Sequence, residues 1–304
     1  MSHYLVTGGA GFIGTNLVKQ LLAEGHKVRV LDNFSAGRFP ERIQPEAEYV
    51  EGDIRNTDDV LPAFDDIDGV FHLAALPRVA YSVERPHETH DVNVNGTLNI
   101  LMSAREKGIK RVVFATSSSA YGDQTVYPLK EEGVTKRPIS PYGLQKLIGE
   151  EYCTLFYKLY ELETVSLCFF NVYGPYFDPN GPYALVIGKF LKQRKDGQPM
   201  TVRGDGEYFR DYTHVSDIVQ ANILAMTKDT VGKGEVINVG YGEPHSVNEL
   251  VKMIGGESIF VPALPGEVRF THADNTKART LLGWQPQIRL EEGIAQLKKD
   301  WGIE

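Results

Sequence analysis

The segment TGGAGFIG, which lies between a predicted β-strand and a predicted helix, restricts the fold more than any other part of this chain. Its glycines, Gly8, Gly11 and Gly14, recur every three residues. Without Cβ atoms they let the backbone turn tightly, approach a pyrophosphate and pack the helix close to the strand. The amides of Phe12 and Ile13 would then donate hydrogen bonds at the positive end of the helix. This context favours a dinucleotide-binding site over an ordinary strand–helix junction.

The first two thirds of the chain alternate β-branched runs with longer helical patterns, which is typical of βαβ units. The predicted strands span residues 4–7, 27–31, 48–51, 69–73, 111–116 and 164–169. The predicted helices span residues 11–24, 58–63, 90–107 and 141–162. We therefore expect an α/β fold with a Rossmann-type, doubly wound parallel sheet.

The pattern changes after residue 172 to loops rich in Pro, Gly and aromatic residues, with only short elements between them. A predicted helix at 214–226 and a predicted strand at 235–239 then return to the sheet. We expect a dinucleotide-binding Rossmann domain of residues 1–172, to which 212–240 return. A smaller C-terminal lobe of residues 173–211 and 241–304 would bind the substrate.

Composition narrows the class of protein. A net charge of −8 and a pI near 5.6 argue against nucleic acid as a partner. No apolar run approaches the roughly 20 residues of a membrane-spanning helix. The chain enters a strand at once, without a signal-peptide pattern, and its two cysteines are too few for a disulfide framework, so we expect a cytoplasmic protein.

The end of the second predicted strand supplies the acidic residue that a dinucleotide site needs. Asp32 can accept hydrogen bonds from both ribose hydroxyls, and its charge would repel a 2′-phosphate, so it favours NAD over NADP. Asn33 and Ser35 follow in the same LDNFS turn and are assigned to the cofactor as well. Asp53, with Ile54 beside it, could receive the adenine amino group. Asx turns are the alternative role for both aspartates.

Three side chains form the candidate catalytic group. Tyr142 and Lys146 are four positions apart in a helical pattern, so they share one face, and Ser117 ends another strand at the same carboxyl edge. A tyrosine with a pKa of about 10 is a poor base, and lowering the pKa by roughly three units requires about 4 kcal/mol of charge stabilisation. Lys146 and a positively charged nicotinamide would supply it. Ser117 would hold the reacting hydroxyl against the phenolate.

The chain resembles an extended short-chain dehydrogenase/reductase of the nucleotide-sugar epimerase/dehydratase family, and within it the UDP-sugar 4-epimerases. The resemblance covers essentially the whole chain and rests on motifs in the family's order: TGGAGFIG, LDN, GDI, FHLAA, NVNGT, SSSAYG, YGLQK, FFNVYGP, GDGEYFRDYTHVSD and HADNTKARTLLGWQP. It implies NAD as the cofactor, a UDP-sugar as the substrate, and a homodimer formed through a bundle of the helices at 90–107 and 141–162.

The resemblance also implies site residues that the sequence pattern alone would assign to the core or to turns. Lys146 would also hold the nicotinamide ribose. Further cofactor contacts are implied for Leu73, Ala74, Ala75 and Phe170. Contacts to the sugar nucleotide are implied for Ser118, Asn171, Leu185, Val186, Val202 and Arg203.

Two arginines of the second lobe, Arg210 and Arg269, lie where the family places ligands of the pyrophosphate. Each could form a planar fork to phosphate oxygens. The alternative is a surface ion pair with Asp211 or Glu267.

Two further positions are informative within the resemblance. Thr271 would lie beside the C2 substituent of the sugar, and its small size predicts that N-acetylated sugars are tolerated. Where the family commonly has an arginine, this chain has Cys168, which predicts the loss of a structural ion pair.

The reaction predicted by these residues is 4-epimerisation through a bound 4-keto sugar, with no metal ion. A 4,6-dehydratase of this family carries an Asp-Glu pair where this chain has Ser118 and Ser119, and a UDP-glucuronate decarboxylase has a glutamate close by. Those two enzyme classes, a UDP-glucuronate epimerase and a non-catalytic NAD-binding sensor are the alternatives. His72 is expected to be structural, since no histidine cluster has metal-ligand spacing.

Overall fold

The computed structural model describes residues 1–180, 185–263 and 268–303, so Glu267 and parts of the predicted second lobe lie outside the described residues. Seven strands form one fully parallel sheet in the order β3-β2-β1-β4-β5-β6-β11. The strands are β1 (His3–Thr7), β2 (Lys27–Asp32), β3 (Glu48–Glu51), β4 (Gly69–His72), β5 (Arg111–Ser117), β6 (Glu163–Phe169), β7 (Val172–Tyr173), β8 (Met200–Arg203), β9 (Phe209–Asp211), β10 (Thr213–His214), β11 (Lys233–Val239), β12 (Pro244–Ser246) and β13 (Ser258–Val261). The order reverses direction between β1 and β4, which confirms the doubly wound, Rossmann-type α/β fold.

Helices cover both faces of this sheet. The helices of the described residues, including those outside the sheet layers, are α1 (Phe12–Ala23), α2 (Thr57–Val60), α3 (Val79–Glu84), α4 (Pro86–His90), α5 (Thr97–Glu106), α6 (Pro141–Tyr160), α7 (Val186–Lys195), α8 (Val215–Thr227), α9 (Val247–Ile254), α10 (Thr276–Leu282) and α11 (Leu290–Trp301). The prediction of a single helix at 90–107 is wrong in one respect: Asp91–Gly96 is π-helical and separates α4 from α5. The six-residue α3 was not predicted.

Two apolar cores lie on opposite faces of the sheet. One contains α1 and α8 packed on residues such as Val6, Val113 and Leu167. The other contains α5 and α6, with Phe114 and Phe156 at its centre. The central strands β1, β4, β5 and β6 are buried along almost their whole length, which explains why they read as apolar runs in the sequence.

A third core lies beyond the carboxyl edge of the sheet. It includes Phe177, Phe190, Val202, Tyr212 and Leu250, from α7, α9 and the short strands around them. Three two-stranded pairings, β7–β10, β8–β13 and β9–β12, accompany it. The chain reaches this core, returns through α8 and β11 to the main sheet, and then leaves again. The division into two lobes with the predicted boundaries stays a prediction.

Candidate active site

The glycine-rich turn between β1 and α1 has the shape of a cradle for a phosphate group. Gly8 adopts a φ of +70°, and the Gly11 amide donates to the Gly8 carbonyl at 3.1 Å. A Cβ atom at Gly14 would lie 2.2 Å from the Gly8 oxygen, so only glycine allows this approach. Within the described residues no side chain caps the start of α1 at Phe12 and Ile13. The free amides at this end fit the pyrophosphate of a dinucleotide.

Asp32 lies at the carboxyl end of β2, next to this turn. Its carboxylate accepts hydrogen bonds from the Ala10 amide (3.0 Å) and the Phe34 amide (2.8 Å). Burial raises its pKa, and these two bonds act in the opposite direction. The predicted turn role is therefore present, and an ionised carboxylate has acceptor sites left for ribose hydroxyls.

The Asp53 carboxylate is already bonded to neighbouring side chains. It accepts from the Arg55 amide at 2.9 Å, which closes an Asx turn, and pairs with the Arg55 guanidinium at 2.7 Å. Asn33 donates to it at 2.9 Å. The Arg55 hydrogen bond is the main cause that lowers the pKa of Asp53 to about 2. Its predicted contact with adenine, and the cofactor contacts of Ser35 and Ile54, stay predictions.

Arg42 is a charged residue at this end of the site that sequence reasoning missed. Its guanidinium lies 4.3 Å from the centre of the Phe39 ring and is buried. Across the part of the chain that the structure describes, it forms no hydrogen bond or ion pair, although it lies near enough to Asp32 and Asp178 for their charges to act on it. A cation therefore stands beside the carboxylate that was expected to repel a 2′-phosphate.

Ser117, Tyr142 and Lys146 meet at the carboxyl edge of the sheet. Ser117 ends β5, and Tyr142 and Lys146 lie one turn apart near the start of α6. Tyr142 is buried, which raises its pKa to about 12, and the nearby Ser117 hydroxyl acts on the pKa in the opposite direction. The Lys146 ammonium donates to the Ala115 carbonyl at 2.8 Å, and burial lowers its pKa to about 8. The three predicted residues therefore form one group.

The start of α6 fixes the position of the tyrosine. Ser140 caps the helix by accepting from the Gly143 amide at 3.1 Å, and Pro141 takes the first position, where proline is favoured. A Cβ at Gly143 would lie 2.4 Å from the Ser119 carbonyl, so the helix approaches the turn after β5 closely. This approach brings Tyr142 to Ser117.

The loop after β4 carries the predicted cofactor contacts Leu73, Ala74 and Ala75. The amides of Leu73 and Ala74 donate to the Thr7 carbonyl (3.1 Å) and hydroxyl (3.3 Å), which fixes the loop beside the glycine turn. His72, just before the loop, is buried between the hydroxyls of Thr7 (2.7 Å) and Thr97 (3.0 Å). This is a structural arrangement, as expected for His72.

Asn93, in the π-helical segment, supports the same loop and was not predicted as a site residue. Its amide accepts from the Leu76 amide at 2.8 Å and donates to the Leu76 carbonyl at 3.1 Å. It also donates to Gln145 at 2.8 Å, on the helix of Tyr142. The motif NVNGT was visible in the sequence, but no spacing rule connects Asn93 to Leu76.

Residues predicted to bind the sugar lie around Asn171. Asn171 has a φ of +31° and donates from its amide to the Asp211 carbonyl (3.1 Å) and the Thr271 hydroxyl (3.0 Å). Asn tolerates this left-handed region better than most residues. Phe170, immediately before it, is fully buried. Asn171 and Thr271 are therefore neighbours, as their predicted roles require.

The predicted phosphate ligands Arg210 and Arg269 both lie near the Tyr208 ring. Arg269 is exposed and pairs with Asp205 at 2.8 Å, an acid that was not among its expected partners. Asp211 instead accepts from the amides of Gly242 and Ala273. The remaining predicted contacts lie at the start of α7 and the end of β8: Leu185, Val186, Val202 and Arg203. Whether they bind substrate stays a prediction, as it does for Ser118.

An ion pair is present where the sequence predicted the loss of one. Lys136 pairs with Glu150, and both charges act on the buried thiol of Cys168. Glu150 also accepts from the Thr116 hydroxyl at 2.7 Å, and burial raises its pKa. A lysine from the loop before α6 supplies the positive charge beside Cys168.

In the described part of the chain, no three or more His, Cys, Asp or Glu side chains are arranged to hold a metal ion. Over the same residues, no helix combines the length and apolar character needed to cross a membrane.

Comparison with known proteins decides the family. Residues 4–240 match the model of the NAD dependent epimerase/dehydratase family. The chain belongs to this family. Its cofactor is NAD, which agrees with the glycine cradle and with Asp32.

Known relatives match this chain over nearly its whole length. A putative UDP-glucose 4-epimerase of Methanocaldococcus jannaschii is 41% identical, with 96% of each chain covered. A crystal structure of a UDP-glucose 4-epimerase from Thermotoga maritima with UDP-glucose is 38% identical, has a TM-score of 0.92, and covers 98% of this chain and 99% of that chain. A UDP-glucuronate 4-epimerase of Thermodesulfobacterium geofontis is 34% identical over 97% of this chain and 94% of its own. A decarboxylase of UDP-N-acetyl-alpha-D-glucosaminuronate from Bacillus cytotoxicus is 33% identical, with 96% of this chain and 95% of that protein covered.

Proposed function

We propose that the protein is a UDP-sugar 4-epimerase that interconverts UDP-glucose and UDP-galactose. The observation that carries this proposal is the group formed by Ser117, Tyr142 and Lys146, which is followed by serines instead of acids at positions 118 and 119. The UDP-glucose 4-epimerases among the relatives support it. Thr271 is small and bonded to Asn171, which leaves room for UDP-GlcNAc and UDP-GalNAc as a second pair.

In this mechanism the protein side chains handle the proton. Ser117 and Tyr142 hold the 4-hydroxyl between them, and the Tyr142 phenolate takes its proton as C4 is oxidised to a ketone. Lys146, fixed on the Ala115 carbonyl, keeps a positive charge near the phenolate. NAD supplies the acceptor and donor of the C4 hydride. After the 4-keto sugar has turned to present its other face, Tyr142 returns the proton to the C4 oxygen.

The alternatives need groups that these positions lack. A dehydratase must remove a proton from C5 and protonate the leaving hydroxyl at C6, and an acid–base pair is suited to that task. Here Ser117 donates instead to the Ser119 hydroxyl at 3.2 Å. A decarboxylase is the second candidate, because two relatives are named as decarboxylases. A non-catalytic NAD sensor would not need Tyr142 as a base.

Proton NMR of UDP-glucose, UDP-galactose, UDP-GlcNAc and UDP-GalNAc, each incubated with the holoenzyme, tests the proposal. We expect inversion at C4, reduced by about 100- to 10,000-fold in Tyr142→Phe because the general base is lost. Tyr157→Phe, on the same helix, is the matched control and should keep full activity. A 4-keto-6-deoxy or pentose product from another nucleotide sugar would contradict the proposal.

The proposal includes a homodimer formed through α5 and α6. Apolar side chains are exposed on the outer faces of these helices: Met102, Leu144, Leu155, Leu159 and Tyr160. Such a continuous apolar face is typical of a subunit interface. Cytoplasmic location likewise stays a prediction.

A further inference from the structure

The face of α6 that carries Tyr142 and Lys146 has a third ionisable side chain, Glu150. The three residues are spaced by four positions, so they follow one another along one side of the helix, and all three are buried. Lys146 donates to the Ala115 carbonyl at 2.8 Å. Glu150 accepts from the hydroxyl of Thr116, the next residue of β5, at 2.7 Å. Glu150 is therefore part of the same helix–strand contact as the catalytic lysine.

Lys136, on the loop before α6, supplies the counter-charge of Glu150. The ammonium and the carboxylate form an ion pair, and their side chains are exposed by only 11% and 2%. The ammonium also lies 4.7 Å from the centre of the Tyr121 ring. The amide of the next residue, Arg137, donates to the Tyr121 carbonyl at 3.1 Å. Contacts of both its side chain and the adjacent backbone thus hold Lys136 against α6.

Lys136, Glu150, Lys146 and the Tyr142 phenolate form a row of alternating charges, here called the charge row. Each member is either paired with the next or lies one helical turn from it. Opposite charges a few ångströms apart favour each other's ionised forms. A charge lost at Lys136 therefore affects the members that follow it.

Glu150 and Lys146 depend on their neighbours because both are desolvated. Burial raises the pKa of Glu150, and the charge of Lys136 is the largest effect in the opposite direction. Burial lowers the pKa of Lys146 to about 8, and Cys153 and Glu150 act against that change. Burial also raises the pKa of the Cys153 thiol to about 12, so Glu150 is the ionised member of these two near neutral pH. Without Lys136 the carboxylate would take up a proton, and Lys146 would lose the negative charge that keeps it protonated.

Other titratable groups also face the charge row. Four of them are buried and uncharged near neutral pH: the thiols of Cys153 and Cys168, the Tyr121 phenol and the His72 imidazole. Glu151, exposed on α6, and Glu131, half-buried on the loop, add negative charge. Arg78, just before α3, adds a positive charge that acts on the Tyr142 phenol. Within the described residues none of these groups is bonded to the side chain of Glu150 or Lys146, whereas Lys136 is.

The position of Cys168 offers a second place from which this charge could be supplied. Cys168 is paired in register with Thr116 across β5 and β6, and Thr116 binds Glu150. The arginine that the family commonly has at this position would therefore start beside the same carboxylate. In this chain the charge comes from the loop instead. A buried ion pair is by itself weak evidence for stability, so a pair that is kept with a different cation favours a role of the charge itself.

We propose that Lys136 and Glu150 are positioning residues for the proton transfer, which fix the place and the charge of Lys146 and through it the strength of Tyr142 as a base. This inference rests on the proposed function, in which Tyr142 is that base, and it adds two residues to the site.

The test measures the pH profile of kcat/KM for UDP-glucose in the wild-type holoenzyme and in Lys136→Met. The variant should move the acidic limb to higher pH by about one unit, because a weaker charge at Lys146 leaves Tyr142 protonated over a wider range. At neutral pH kcat should fall about tenfold, while KM and the Kd for NAD change little. An unchanged limb, or one moved to lower pH, would overturn the proposal.

Variants that keep the positive charge should keep the wild-type profile. Lys136→Arg retains it on the loop, and Lys136→Ala/Cys168→Arg transfers it to β6. Lys130→Met is the matched control, because Lys130 lies on the same loop but pairs with Asp274 and not with a residue of α6. A limb that moves equally in Lys130→Met would assign the effect to the loop and overturn the role of Lys136.

The double variant Lys136→Met/Glu150→Gln separates the charge from the stability of the fold. Two neutral side chains leave no unpaired buried charge, so urea unfolding should show stability close to that of the wild type. The acidic limb should nevertheless stay shifted, because Lys146 still lacks its negative neighbour. Recovery of the limb together with stability would reduce the pair to a structural role. This variant also carries the test if Lys136→Met does not fold.

An ultraviolet difference titration of the Tyr142 phenol distinguishes failure of this inference from failure of the proposed function. It compares holoenzymes without substrate, with Tyr142→Phe as the blank. If the phenol titrates at higher pH in Lys136→Met but no UDP-sugar is inverted at C4, the positioning role stands and the epimerase is overturned. If UDP-glucose is epimerised and neither the phenol nor the limb moves in Lys136→Met, the epimerase stands and the positioning role is overturned.

Discussion

At the scale of single residues, two opposite charges lie near each other where the adenosine ribose would bind. Asp32 is fixed by two backbone amides, while the buried Arg42 close to it has no bonded partner in the described chain. The carboxylate repels a 2′-phosphate and the guanidinium would attract one. We therefore expect discrimination against NADP to depend on Asp32.

Asp32→Asn should therefore raise the affinity for NADP by at least about tenfold, because the repulsive charge is removed and Arg42 can reach the 2′-phosphate. The affinity for NAD should fall in the same variant, since the ribose hydroxyls lose an ionised acceptor. Calorimetric titration of cofactor-free protein with NAD and NADP measures both changes. The double variant Asp32→Asn/Arg42→Met should lose the gain for NADP, and an unchanged NADP affinity in Asp32→Asn would contradict the role given to Arg42.

Residues that follow a local rule could be predicted from the sequence, and residues positioned by distant contacts could not. Tyr142 and Lys146 follow from helical spacing, and Ser117 follows from the end of a strand. Arg42 and Arg78 are placed by turns and by a short helix whose packing no periodicity reveals. The ion pair of Lys136 with Glu150 is a similar case, because a loop lysine takes the place of an expected arginine on a strand.

At the scale of elements, the π-helical segment Asp91–Gly96 connects the two halves of the site. It places Asn93 so that its side chain reaches both the loop after β4 and Gln145 on α6. π-Helical turns inside helices are frequent at functional sites. The sequence predicted one continuous helix here because the apolar spacing alone does not register the inserted turn, whereas the central strands were predicted well because their burial makes them apolar.

Asn93→Ala should release the loop that carries the cofactor contacts. Two half-buried backbone groups of Leu76 would lose their partners, so we expect a loss of about 1–3 kcal/mol in unfolding free energy and weaker NAD binding. Urea unfolding and NAD titration measure these effects. Asn95→Ala is the matched control, because Asn95 is exposed in the same segment and, among the described residues, its side chain bonds only to Asp91. Equal effects in both variants would show that the segment, not the Asn93 contacts, is responsible.

At the scale of the whole molecule, buried titratable groups set the response to acid. Burial lowers the pKa of His72 to about 3, so the unfolded chain takes up a proton first as the pH falls below about 6.5. His72 therefore contributes stability that is present at neutral pH and is lost at about 1.4 kcal/mol per pH unit between those two values. Asp211, whose pKa burial raises to about 6, acts with the opposite sign over part of that range.

His72→Gln should consequently unfold with a smaller decrease in stability between pH 6.5 and 4.5 than the wild-type protein. The expected difference is about 2.3 kcal/mol over those two pH units, because the slope is only half developed at pH 6.5, and it is read from urea unfolding at each pH. The variant is expected to be less stable at pH 7, because glutamine cannot reproduce both threonine contacts, so the slope and not the midpoint is the diagnostic quantity. Parallel pH slopes for the two proteins would contradict the assignment of a neutral, buried His72.

The outer faces of α5 and α6 determine whether the protein is a monomer or a dimer. Leu155 and Leu159 are exposed by 44% and 60% and lie one turn apart on α6, and Met102 is exposed on α5. We expect sedimentation to give twice the 33.9 kDa of the chain for the wild type and 33.9 kDa for Leu155→Asp/Leu159→Asp. Phe260→Asp, which removes an equally exposed apolar side chain from β13, should stay dimeric. Because the active site lies at the sheet edge and not on this face, the monomeric variant should still bind NAD, whereas a wild type that sediments at 33.9 kDa would remove the dimer altogether.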